Sequence, residues 1–176
     1  MAPTARAPIA LIGLMGAGKS SVARVLGERL GVSATDLDAL LEAEAGESIA
    51  GWFERGGEPE FRRRESELLE RVVASGAPIL ACGGGVVLDP GNRRLLRERC
   101  RTVWLEVSPN DAASRLSEDG PVRPLLEGGP AAERLRTLLD ERAWAYAEVA
   151  ERRVSTSGRS IEQVAEAVLE ALGVHP

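Results

Sequence analysis

Short apolar runs alternate along this chain with longer stretches in which apolar residues recur every three or four positions. The runs at 8–12 and 78–82 are apolar throughout and 102–107 nearly so, which predicts strands buried on both faces. Weaker strand signals lie at 32–35 and 153–156. Between them, Val22, Val25, Leu26 and Leu30 share one face of a predicted helix, as do Ile161, Val164, Ala165, Val168 and Leu172 of another. Helix starts are marked where Asp89 and Ser108 precede prolines, and where Ser160 and Gln163 form a capping box. Residues 131–149 predict a long amphipathic helix. Strands alternating with helices imply an α/β three-layer sandwich, a parallel sheet covered on both faces. Ligands in such folds gather beyond the carboxyl ends of the strands. That places Asp36, Asp38, the glycines at 83–85 and the residues after Thr156 at one site.

Composition narrows the function. At 176 residues the chain is one domain, and 44% hydrophobic with 28% charged residues is ordinary for a soluble globular protein. A net charge of −5 gives no overall positive field to recruit nucleic acid. The N-terminal apolar run is short, contains Gly13 and flows into a glycine-rich loop, so neither a signal peptide nor a membrane span is predicted, and a cytoplasmic location is expected. Cys82 and Cys100 suit neither a disulfide framework nor a zinc site; Cys82 reads as a small core residue. The single histidine, His175, is the second-last residue, so a base must be a carboxylate or the substrate itself.

One lysine stands among 22 basic residues. It is Lys19, within Gly13-Leu14-Met15-Gly16-Ala17-Gly18-Lys19-Ser20, which fits the G-x-x-x-x-G-K-[ST] phosphate loop. A compact ammonium fits a tight glycine loop around phosphate where a planar guanidinium does not. With a strand before it and a helix after it, the loop aims backbone N–H groups and the positive helix end at an anion. Lys19 would reach the β- and γ-phosphates and Ser20 would ligate Mg²⁺. Many phosphate-loop proteins carry a magnesium acid at the end of a strand where this chain has Cys82, so Asp36 becomes the candidate for the metal shell. For Asp36 and Asp38 the competing expectation is a helix cap plus an exposed acid. Gly83, Gly84 and Gly85 let backbone approach a ligand closely. Arg62, Arg63 and Arg64 lie on a helical segment where guanidinium could bind a carboxylate, although most such charge runs are solvated faces. Arg123, among prolines and glycines at 120–130, reads as a positive charge on a flap over the transferring phosphate. For Arg142 a surface salt bridge competes with ligand binding.

Together the phosphate loop, Asp36-Leu37-Asp38, Gly57-Glu58-Pro59-Glu60-Phe61-Arg62, Gly83-Gly84-Gly85 and Val122-Arg123-Pro124-Leu125-Leu126 resemble the shikimate kinase family in order and spacing, from Ile9 to Leu172. The resemblance implies a nucleoside-monophosphate-kinase-like fold with a five-stranded parallel sheet, a substrate-binding segment at about 37–65 and a lid at about 117–130. It implies a monomer that transfers the ATP γ-phosphate to the 3-hydroxyl of shikimate with Mg²⁺. Asp38 would contact the substrate hydroxyls as base or orienter, and Arg62 and Arg142 would hold the carboxylate beside Gly83, Gly84 and Gly85. Ile49, Phe53 and Phe61 would form the apolar wall. Gly16, Ala17, Gly18, Lys19, Ser20 and Ser21 would hold phosphate, Asp36 would join Ser20 at the metal, and Arg123 would be the lid arginine. Adenine would lie against Arg115 and the loop carrying Arg159. Asn-Lys-x-Asp, the guanine motif of a regulatory GTPase, cannot occur with Lys19 as the lone lysine. A kinase of a related carboxylated cyclitol or another small hydroxylated metabolite is the remaining alternative.

Overall fold

A computed structural model describes residues 7–118 and 129–175. Its strands are β1 (Ile9–Ile12), β2 (Ala34–Asp36), β3 (Ile79–Ala81), β4 (Arg101–Glu106) and β5 (Arg152–Ser155). They form one parallel sheet in the order β2-β3-β1-β4-β5. In the central strand β1 all four residues are buried. Ile9 and Leu11 face one core and Ala10 and Ile12 the other, as a strand covered on both sides requires.

The first core is closed by α1 (Lys19–Leu30), α6 (Pro109–Glu118) and α8 (Ile161–Leu172). The second is closed by α2 (Leu37–Ala45), α3 (Ile49–Glu54), α4 (Glu58–Ala74) and α5 (Pro90–Arg99). α7 (Ala131–Val149) gives Leu135 to the first core and Ala145, Tyr146 and Val149 to the second. The predicted three-layer sandwich is therefore the observed one. Each fully buried Leu, Ile or Val contributes roughly 1.5–3 kcal/mol relative to an exposed one.

Two residues of offset separate the weakest predicted strand from the observed one. Gly31 ends α1 in the left-handed conformation, and the Val32 N–H returns to the Gly27 carbonyl at 3.0 Å. Residues 32–33 thus finish the helix instead of entering the sheet, and Val32 is left 40% exposed. β2 begins at Ala34, which makes Asp36 its last residue and starts α2 at once. The 37–65 segment consists of α2, α3 and the first half of α4. Residues 119–128, with Arg123, lie outside the described residues.

Candidate active site

β1 delivers the chain to Gly13 and α1 begins at Lys19, so residues 13–18 form the phosphate loop. Gly16 has φ +79°, and a Cβ there would meet the Ala112 carbonyl oxygen at 2.9 Å, so both conformation and space exclude a side chain. Gly18 caps α1 without a side-chain hydrogen bond, and the first turn holds no acid. The helix N–H groups and its positive end are thereby left to an anion. The Lys19 ammonium folds across the loop and donates to the carbonyls of Gly13 and Leu14, both at 2.9 Å.

Asp36 is the helix cap expected of it and also reaches the phosphate loop. Its Oδ1 accepts from the Ala39 N–H at 3.0 Å and caps α2, while its Oδ2 accepts from the Ser20 hydroxyl. One cap thus brings a carboxylate to the phosphate-loop serine. This hydroxyl and carboxylate are hard oxygen donors, which suits Mg²⁺, an ion that takes one or two protein ligands alongside phosphates and water. Among the described residues no cluster of three His, Cys, Asp or Glu could hold a metal alone. Cys82 is fully enclosed, and burial pushes its thiol well above the usual range, so it offers no thiolate.

From the phosphate loop a cavity of about 850 Å³ runs between α1, α2, α3, α4 and the glycine turn after β3. Asp38 lies on its wall, in the first turn of α2. Burial raises its carboxyl above the ordinary range, opposed by Lys19 on one side and Arg62 on another. A shallower cleft of about 650 Å³ on the far side of Ser20 and Asp36 carries Arg24 and Glu28, which pair with each other at 2.6 Å.

At the opposite end of the cavity three elements meet. Of the three consecutive arginines on α4, Arg63 and Arg64 are exposed and face Glu67 and Glu60, whereas Arg62 turns inward. Its guanidinium lies 5.0 Å from the Phe61 ring centroid and 5.9 Å from that of Phe53, and donates to Glu65 Oε2 at 2.7 Å. Phe61 packs edge-on against Phe53 and Trp52, and Ile49 and Phe53 complete the apolar lining. Arg142 is 4% exposed, so the surface salt bridge weighed for it does not exist. It projects from α7 to the same cavity end.

The triple glycine fits between these groups because a side chain at its first or last position would collide. A Cβ on Gly83 would lie 2.7 Å from both Asp38 Oδ1 and Glu65 Oε1, and one on Gly85 would strike the Arg62 guanidinium. At Gly84 the Arg142 guanidinium is 3.6 Å from the same point. Glu65 and Tyr146 were not among the sequence candidates. Glu65 is 2% exposed, its Oε1 has no hydrogen-bond partner, and burial raises its carboxyl against the pull of Arg62. Its signal was the i,i+3 spacing from Arg62. Tyr146, the chain's one tyrosine, donates to the Gly84 carbonyl at 2.5 Å, and its signal was the i,i+4 spacing from Arg142.

Near the other end, Arg115 on α6 donates to the Gly16 carbonyl at 3.2 Å and to the Thr156 carbonyl at 2.8 Å. It ties the phosphate loop to the turn between β5 and α8 and lines the cavity. Arg159 on that turn is exposed, bonded to the Ser155 carbonyl at 3.4 Å, and is not among the cavity walls. Ser21 lines the cavity and Ala17 is buried beneath it. His175 is exposed.

Residues 15–173 match the family model described as shikimate kinase. A shikimate kinase of Symbiobacterium thermophilum is 42% identical over 165 residues, 93% of this chain and 95% of that one. A solved shikimate kinase from Acinetobacter baumannii, in complex with shikimate, superposes with a TM-score of 0.88 at 34% identity, covering 94% and 92% of the two chains. A gluconokinase from Sinorhizobium meliloti shares the fold, with a TM-score of 0.61 at 18% identity and coverage of 97% and 94%.

Proposed function

This chain belongs to the shikimate kinase family, and we propose how its residues move the ATP γ-phosphoryl group to the 3-hydroxyl of shikimate. The backbone of Gly16, Ala17, Gly18, Ser20 and Ser21 cradles the β- and γ-phosphates. Lys19 exchanges its loop carbonyls for phosphate oxygens as charge builds there. Ser20 and Asp36 would hold Mg²⁺, which when bound neutralises phosphate charge. Arg115, with Arg159 on the neighbouring turn, lies along the adenine, and Arg123 serves the transferring phosphate.

At the other end Arg62 and Arg142 take the shikimate carboxylate, with Gly83, Gly84 and Gly85 beside it and Ile49, Phe53 and Phe61 against the ring. Arg62 pairs with the buried Glu65 at 2.7 Å and the half-exposed Glu58 at 3.7 Å, and Arg142 lies across the glycine turn from it, so a shikimate carboxylate has two guanidiniums to accept from. The acceptor hydroxyl then lies against Asp38. Its oxygen attacks the γ-phosphorus as the bond to the ADP oxygen breaks, and its proton passes to Asp38.

The observation that carries this reading is the place of Asp38, on the wall of one cavity that Lys19 lines at its phosphate end and Arg62 at the other. A carboxylate there can accept from a hydroxyl held between a phosphate site and a carboxylate site. A monomer suffices for this site, since one copy of the chain supplies both ends of the cavity, and the need for ATP supports a cytoplasmic location.

Steady-state kinetics with ATP and a panel of carboxylated cyclitols test the reading. Shikimate should give the highest kcat/KM. Arg62→Ala or Arg142→Ala should raise the shikimate KM about ten- to a hundredfold, the worth of a charge-assisted contact, and the ATP KM far less. Equal effects on both KM values would remove the arginines from the acceptor end.

A further inference from the structure

Tyr146 takes no part in the proposed phosphoryl transfer, yet it sits where two halves of the acceptor end join. The residue is fully buried, its ring packed against Trp104 with centroids 5.5 Å apart. Its hydroxyl donates to the Gly84 carbonyl at 2.5 Å, a bond reaching 62 residues back along the chain. One turn earlier on the same helix, Arg142 lines the cavity with its guanidinium 3.6 Å from the point where a Cβ on Gly84 would lie.

We propose that Tyr146 is a positioning residue that locks the glycine turn and Arg142 into one carboxylate-binding unit. A peptide unit is planar and trans, so fixing the Gly84 oxygen fixes the plane of the Gly84–Gly85 peptide and the direction of the Gly85 N–H. The Gly83 and Gly85 carbonyls accept from the N–H groups of Val86 at 3.2 Å and Leu88 at 3.0 Å, so Gly84, with no Cβ to restrict rotation, is the member of the turn that Tyr146 holds. Without that bond Arg142, whose guanidinium lies beside Gly84, loses a fixed neighbouring surface too. The hydroxyl therefore acts chiefly on carboxylate binding, although Gly84 also borders the phosphate loop, where a Cβ on it would lie 3.5 Å from the Gly13 carbonyl oxygen.

The inference rests on the shikimate reading, and the test separates the two. Wild type, Tyr146→Phe and Trp104→Phe are assayed with shikimate and with its uncharged methyl ester, at saturating ATP. The wild type should prefer the acid strongly in KM. Tyr146→Phe should raise the KM for the acid about tenfold, the worth of one to two such hydrogen bonds. It should leave kcat and the ATP KM within about twofold and hardly change the KM for the ester. Trp104→Phe disturbs the same ring packing without touching the hydroxyl, and should keep the preference for the acid. Calorimetric titration of shikimate into each variant gives the same comparison without turnover.

A Tyr146→Phe enzyme with wild-type preference for the acid would overturn the proposal while leaving shikimate as substrate. Loss of the preference in both variants would assign the effect to packing and overturn it equally. A wild type indifferent to the ester would sink the carboxylate reading and this inference with it.

Discussion

A carboxylate cannot be both comfortably folded and poised to take a proton. Burial raises the Asp38 carboxyl, so at neutral pH its charged form is held in the folded chain at a cost, which Lys19 and Arg62 offset in part. The sign follows from linkage. A carboxyl whose folded pKa is raised favours the native state fully below its unfolded pKa and loses that contribution as pH rises through the folded pKa. Asp38→Asn should therefore be inactive but no less stable than wild type at pH 7, with any gain vanishing near pH 4 and below. Thermal melts across that range, beside an ADP-release assay, check it; an inactive variant that melts well below wild type at pH 7 would contradict the argument. The acid limb of kcat/KM should likewise lie above the ordinary carboxylate range. Lys19 makes the complementary point about shape. Lys19→Ala should lower kcat on the order of 10²–10³-fold, and Lys19→Arg nearly as much, because a planar fork cannot lie across 13–18 as the ammonium does. A near-wild-type arginine variant would refute the size argument.

Elements carry residues to the site by their ends, and that is where legibility varied. The phosphate loop was readable in full because strand, glycines, lysine and helix are contiguous, and every part is locally encoded. The β3 strand and its glycines were readable for the same reason. β2 was misplaced by two residues because the left-handed end of α1 at Gly31 consumes residues that look like strand. Arg142 could be assigned only through the family resemblance, since an arginine on an amphipathic helix looks the same whether it meets water or a cavity. Glu65 and Tyr146 were missed because their roles exist only where α4, α7 and the glycine turn meet. The turn itself can be tested. Gly83→Ala should push aside the carboxylates of Asp38 and Glu65, and Gly85→Ala the Arg62 guanidinium. Both should raise the shikimate KM at least tenfold while the ATP KM changes less than about threefold, since a misplaced positioning group of this kind costs up to 10²-fold. A common rise in both KM values would mean the turn supports the whole cavity and not the acceptor end.

Across the whole molecule the cavity joins two layers. Its phosphate end is built on β1 and α1, and its carboxylate end on α4, α7 and the turn after β3. A parallel sheet with β1 at its centre brings both to the carboxyl ends of the strands, where they adjoin at Gly84 and Gly13 but draw their charged groups from different elements. The two ligands should then stabilise the folded chain separately, each by mass action. At about 100 times its dissociation constant a ligand adds about 2.7 kcal/mol, and for a domain of this size each kcal/mol raises Tm about 2–4 °C, so each alone should add roughly 5–11 °C. Arg142→Ala should cut the rise given by shikimate to about half or less, as a ten- to hundredfold weaker affinity requires, and keep that given by ATP with Mg²⁺. Lys19→Ala should do the reverse. Melting measures binding and not turnover, so the result does not depend on the catalytic role assigned to Asp38. If either substitution removed both shifts, the ends would form one cooperative unit, and the separation of nucleotide and acceptor recognition argued from the layers would fail.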